Sequence, residues 1–93
     1  MQKAKVKLGR PAGSRTFDPD LALGFGIATR ECRLSLGYSQ EHLSNLAQVE
    51  RSHMGKIERG EHIPNLILIL KIAKALAIKP GKLVDRALEL SLK

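Results

Sequence analysis

Apolar residues recur at helical spacing through most of the chain, beginning near residue 20. Leu21, Phe25, Thr29, Cys32 and Leu36 stand three or four apart and predict a first helix over about residues 20–36. Asp18-Pro19 marks its start, a capping carboxylate followed by a proline at the first helical position, and Gly37 marks its end. Gly24 and Gly26 each cost such a helix roughly 1 kcal/mol relative to alanine, so tertiary packing has to hold it. Leu43, Leu46 and Ala47 then give a short helix an apolar face, opened by the hydroxyl of Ser39, with Tyr38 placed for a hydrophobic staple onto Leu43. The polar run Gln48, Glu50, Arg51, Ser52 breaks the pattern, with Val49 alone to pin a tight turn into a core. Met54 and Ile57, three apart, anchor a third helix over about residues 50–59, which Gly60 ends in a left-handed conformation.

Two more helices follow. Pro64-Asn65 opens the fourth, with Asn65 as its cap and free amides there that suit a phosphate. Leu66, Ile69, Ile72, Ala73 and Leu76 form its expected inward face, which leaves Ile67, Leu68 and Leu70 in surplus. Lys79-Pro80 begins the fifth, at about 80–92, and its Leu83, Val84, Ala87, Leu88 and Leu90 exceed what a small core can hide. A homodimer through Ile67, Leu70, Val84 and Leu88 accounts for the excess, and packing within the chain is the alternative.

Composition narrows the class. Ninety-three residues, 43% hydrophobic and only 3% aromatic, make one all-α domain with a core of Leu, Ile and Ala. The formal charge of +7 points to a polyanion, nucleic acid before an anionic membrane. Residues 1–17 lack an apolar period and hold Lys3, Lys5, Lys7, Arg10 and Arg15 with no acid, which supplies +5 of that charge. They read as a flexible basic arm ahead of a domain at 18–93, either following phosphates or a minor groove or serving as a solvated tail. The lone Cys32 excludes an internal disulfide, and no apolar run approaches the ~18–20 residues that cross a bilayer, so a soluble cytoplasmic protein is expected. His42, His53 and His62 lack metal-ligand spacing, and no phosphate loop, carboxylate pair or nucleophile–base pair is legible. Neither an enzyme nor a metal, cofactor or small-molecule ligand is expected.

The joint pattern Gly37-Tyr38-Ser39-Gln40-Glu41, Leu43, Ala47, Val49, Ile57-Glu58-Arg59-Gly60, Ile63-Pro64-Asn65-Leu66, Lys71-Ile72-Ala73, Ala75-Leu76, Lys79-Pro80 and Leu83 resembles the lambda-repressor-like helix-turn-helix regulators, the Cro/repressor or XRE family. Phe25-Gly26, Thr29-Arg30 and Arg33 fit its first helix more loosely, and the likeness covers roughly residues 18–86. The resemblance implies a compact five-helix DNA-binding domain with the helix-turn-helix at about 39–59. It also implies a structural ion pair between Arg33 and Glu58, and base-reading positions at Arg51, Ser52 and Lys56 with Gln40 opening the preceding helix. The chain departs from the family at Gln48, where glycine is usual and a left-handed residue is expected, at Ser44 in place of alanine, and at Gly55 in place of serine or threonine.

The chemistry of recognition follows from the residue types. Arg51 suits a bidentate contact to guanine O6 and N7, worth roughly 1–3 kcal/mol of discrimination. Lys56 reads guanine or a phosphate, and Ser52 is permissive. Glu50 accepts from cytosine N4, orients Arg51 or caps the helix, while His53 touches DNA or rests against the backbone. The expected function is a sequence-specific, double-stranded-DNA-binding transcriptional regulator, a dimer reading a pseudo-palindromic operator through the major groove. The alternative is an antitoxin or a restriction-modification controller of the same fold whose fourth and fifth helices bind a protein partner.

Overall fold

The computed structural model describes residues 18–92. Five helices follow one another, α1 (Pro19–Ser35), α2 (Gln40–Ala47), α3 (Arg51–Glu58), α4 (Leu66–Ala75) and α5 (Pro80–Ser91), and the described residues contain no strand. Side-chain oxygens open three of them: Leu21 N–H donates to Asp18, His42 N–H to Ser39 and Leu68 N–H to Asn65, at 2.9–3.1 Å.

A common geometry closes four of the five. Gly37, Gln48, Gly60 and Ala77 all have positive φ. In each case the next amide reaches back to the helix, as Val49 N–H does to Ser44 O and Glu61 N–H to Lys56 O at 2.9 and 2.8 Å. Gln48, at φ 58 and ψ 45, takes the left-handed conformation expected where the family has glycine. Ala77, at φ 55, takes the same conformation although an alanine carries no sequence signal for it.

The core gathers Phe25, Ala28, Leu43, Val49, Met54, Ile57, Ile72, Leu76 and Leu83 from all five helices and the α2–α3 turn. Its position on α1 corrects the expected face. Leu21 and Leu36 are exposed and Cys32 only half-buried, whereas Ala22, Gly24, Phe25, Gly26, Ala28, Thr29 and Arg33 point inward. Small residues decide this rotation. A Cβ on Gly24 would strike the carbonyl of Ala87 in α5, and one on Gly26 would strike the carbonyls of Ile57 and Glu58 in α3. The glycines that cost α1 local stability are therefore what let its backbone lie directly on two neighbours. Leu46 and Leu66 also turn outward, contrary to their expected faces, while Leu68 and Ile69 pack against the core. Across the outer edge of the α1–α5 contact, Arg86 donates to both carboxylate oxygens of Glu31 at 2.9 and 3.0 Å, which pushes its pKa further up.

Candidate nucleic-acid interface

The turn and α3 are held down from one side only. Val49, Met54 and Ile57 are buried, the last two at 0% exposure, and Ser44 of α2 is buried as well, its hydroxyl donating to Gln40 O. Arg51, Ser52 and Lys56 are left exposed on the opposite side. Together with Gln40, Gly55 and Arg59 they line one shallow, open hollow of about 390 Å³.

Behind it stands a buried ion pair. Arg33 donates through Nε and Nη2 to the two carboxylate oxygens of Glu58 at 2.8 and 2.9 Å, and through Nη1 to Tyr38 O at 2.9 Å. One arginine thus ties the start of the helix-turn-helix to its end. Gln40 joins the network, its Nε2 donating to Glu58 Oε1 at 3.1 Å. One hydrogen of its amide nitrogen is thus committed inside the protein and the second is left over, while its carbonyl oxygen lies toward Gly55. Gln40 is consequently a half-committed member of the surface rather than a free reader.

The remaining sequence candidates separate. Glu50 precedes α3 without capping it and instead accepts the Ser52 hydroxyl at 3.2 Å, so the capping alternative fails. His53 is half-buried with its ring edge-on to His62, centroids 4.6 Å apart, and lies outside the hollow. Asn65 caps α4 with the oxygen that accepts from Leu68 and likewise stands apart. Tyr38 meets His42 edge-on at a centroid distance of 4.6 Å. The arm residues Lys3, Lys5, Lys7, Arg10 and Arg15 lie outside the described residues.

Sequence reading missed Arg59. It follows the last residue of α3, yet its guanidinium lies back over the outer face of that helix, beside Gly55. Its Nε and Nη2 donate to Glu61 at 2.9 and 3.3 Å, an exposed pair that lowers the Glu61 pKa and raises that of Arg59. The only trace of this in the sequence is the four-residue interval from Gly55 to Arg59, one helical turn. Arg30 of α1 extends the basic rim, lining an adjoining hollow with Arg33, Gln40, Glu58 and Arg59.

Elsewhere, Cys32 is partly covered, and burial, reinforced by Glu31 and partly offset by Arg86, pushes its thiol pKa up. Among the described residues no three His, Cys, Asp or Glu side chains converge as metal ligands, and no helix is long and apolar enough to cross a membrane. A greasy groove runs between α1, α5 and the segment before α4, lined by Leu21, Phe25, Ile63, Ile69, Val84 and Leu88 among others. Val84 and Leu88 share this groove; Ile67 and Leu70, though exposed, do not line it.

Residues 30–83 match the family model described as Helix-turn-helix, HTH_3. The chain is 44% identical over 50 residues to the HTH-type transcriptional regulator YgzD of Bacillus subtilis (strain 168), spanning 54% of this chain and 76% of that one. It is 39% identical over 67 residues to the control protein C.BamHI of Bacillus amyloliquefaciens, spanning 71% of this chain and 83% of the relative. Among solved structures it resembles the restriction-modification controller protein C.AhdI from Aeromonas hydrophila, with a TM-score of 0.65 and 44% identity over 67% of this chain and 94% of that one. The protein belongs to the helix-turn-helix family, in its XRE branch of transcriptional regulators.

Proposed function

We propose that the protein regulates transcription as a two-fold dimer, each copy laying α3 into the major groove of one half of a pseudo-palindromic operator. The observation that carries this reading is the one-sided burial of α3. Val49, Met54 and Ile57 seal its inner side, and Arg51, Ser52 and Lys56 stand together on the side left open. A helix about 10–12 Å across fits that groove, where every base pair displays a distinct set of donors and acceptors. Arg51 is the guanine reader, Lys56 reads guanine or meets a phosphate, and the Arg33–Glu58 pair fixes orientation without touching DNA. The arm cations Lys3, Lys5, Lys7, Arg10 and Arg15 add contacts to phosphates or the minor groove.

The dimer face is assigned to Val84 and Leu88, with Ile67 and Leu70 at its margin. Exposed apolar side chains on α5 support it, since water disfavours such surface. Within transcriptional regulation, control of a restriction-modification system is favoured by the two controller relatives. The protein acts in the cytoplasm and catalyses no reaction.

Selection of bound sequences from a random duplex pool tests the reading. The wild type should enrich a two-fold symmetric motif, and Arg51→Ala should lose preference at one base pair per half-site, about ten-fold in affinity. Enrichment of no motif by the wild type would refute it.

A further inference from the structure

We infer that Arg59 is a second guanine-reading side chain, aimed by Glu61 and admitted by the missing side chain at Gly55. The inference rests on the reading that α3 enters the major groove. Three features of the structure converge on it. The guanidinium lies over the open face of α3, in the same hollow as Arg51, Ser52 and Lys56, and not out along the helix axis. A Cβ built on Gly55 would sit 3.0 Å from Arg59 Nη1 and 3.4 Å from Gln40 Oε1, so glycine holds open the space the guanidinium uses.

Glu61 accepts from Nε and Nη2, which occupies one edge of the planar group. The end formed by Nη1 and the second Nη2 hydrogen stays free to give two parallel N–H bonds, the pattern that guanine O6 and N7 accept. Glu61 is itself placed by backbone, its N–H donating to Lys56 O at 2.8 Å after the left-handed Gly60. A carboxylate that pairs with Arg59 from a backbone so placed reduces the rotamer freedom the long arginine would lose on binding. It also separates Arg59 from an ordinary phosphate contact, for which a point charge in any orientation is enough.

The test uses the full-length protein, duplex selection and titration of the selected site against random duplex. Arg59→Ala should abolish preference at one base pair per half-site other than the one lost in Arg51→Ala, weakening the selected site about ten-fold relative to random duplex. Arg59→Lys should lose the same preference while keeping the charge. Gly55→Ser should reproduce the loss with the fold intact, as checked by circular dichroism, because the nearest atom it meets is the mobile end of a side chain. If Arg59→Ala instead weakens all duplexes evenly and reduces the salt slope by about one, Arg59 is a phosphate contact and the inference falls. Unchanged selection in Gly55→Ser would overturn the placement across that residue. Were Arg51→Ala also without effect on preference, the groove reading itself would fail, not this inference alone.

Discussion

Arg33 shows how much one side chain organises here. Its guanidinium is buried, meets both oxygens of Glu58 and also supports the carbonyl of Tyr38. Such a pair adds little net stability relative to apolar neighbours, because both charges are desolvated, but its halves cannot be separated cheaply. Arg33→Ala leaves the Glu58 carboxylate buried with only the Gln40 amide as a side-chain partner. Urea unfolding should then show a loss of about 3–5 kcal/mol, and Arg33→Met combined with Glu58→Leu should recover most of it. A loss below about 1 kcal/mol for Arg33→Ala would mean that the pair is as weak as a solvated one. At this scale the local pairings were readable. Asp18, Ser39 and Asn65 act within three residues of themselves, and capping depends on little else. Arg59 was not readable, because its position depends on a turn that brings Glu61 back alongside it.

Among the elements, helix endings were partly legible and helix faces less so. Gly37 and Gly60 announce left-handed ends, and Gln48 was identified through the family's usual glycine; Ala77 had neither signal. Gln48 pays a conformational penalty of ~1–2 kcal/mol that glycine would not, while glycine raises unfolded-chain entropy by ~0.4–1 kcal/mol. The first effect is larger, so Gln48→Gly should stabilise the fold by about 0.5–1 kcal/mol in thermal unfolding. A lower melting temperature would imply that the Gln48 side chain contributes more than its backbone costs. The inward face of α1 departs from its apolar periodicity for a physical reason. Periodicity weights large apolar residues, but where backbones touch the buried positions are small, and Gly24 and Gly26 add nothing to an apolar pattern.

On the scale of the whole molecule, apolar surface remains beyond the needs of one core. Leu88 is 49% and Val84 44% exposed on a helix whose other side is fully packed. Leu88→Glu should shift the protein toward monomer in sedimentation velocity and weaken operator binding by ten-fold or more, since two half-sites would no longer be bound as a unit. An unchanged mass would move the interface off α5. The fold class was legible, and so was the side of α3 that stays exposed, because one-sided burial leaves a strong pattern. The surplus on α4 and α5 was legible as a quantity but not as a place, since periodicity cannot tell which outward side chains share a groove. The glycine contacts of α1 carry one more consequence. Backbone meets backbone at Gly24 and at Gly26, so at those two points no side chain intervenes to bend or change rotamer, and the buried Arg33–Glu58 pair adds a second tie between α1 and α3. The protomer should therefore act as a stiff caliper. In the proposed dimer the distance between the two copies of α3 would be built into the main chain, and a target with the wrong gap would have to twist or stretch its own duplex to be gripped.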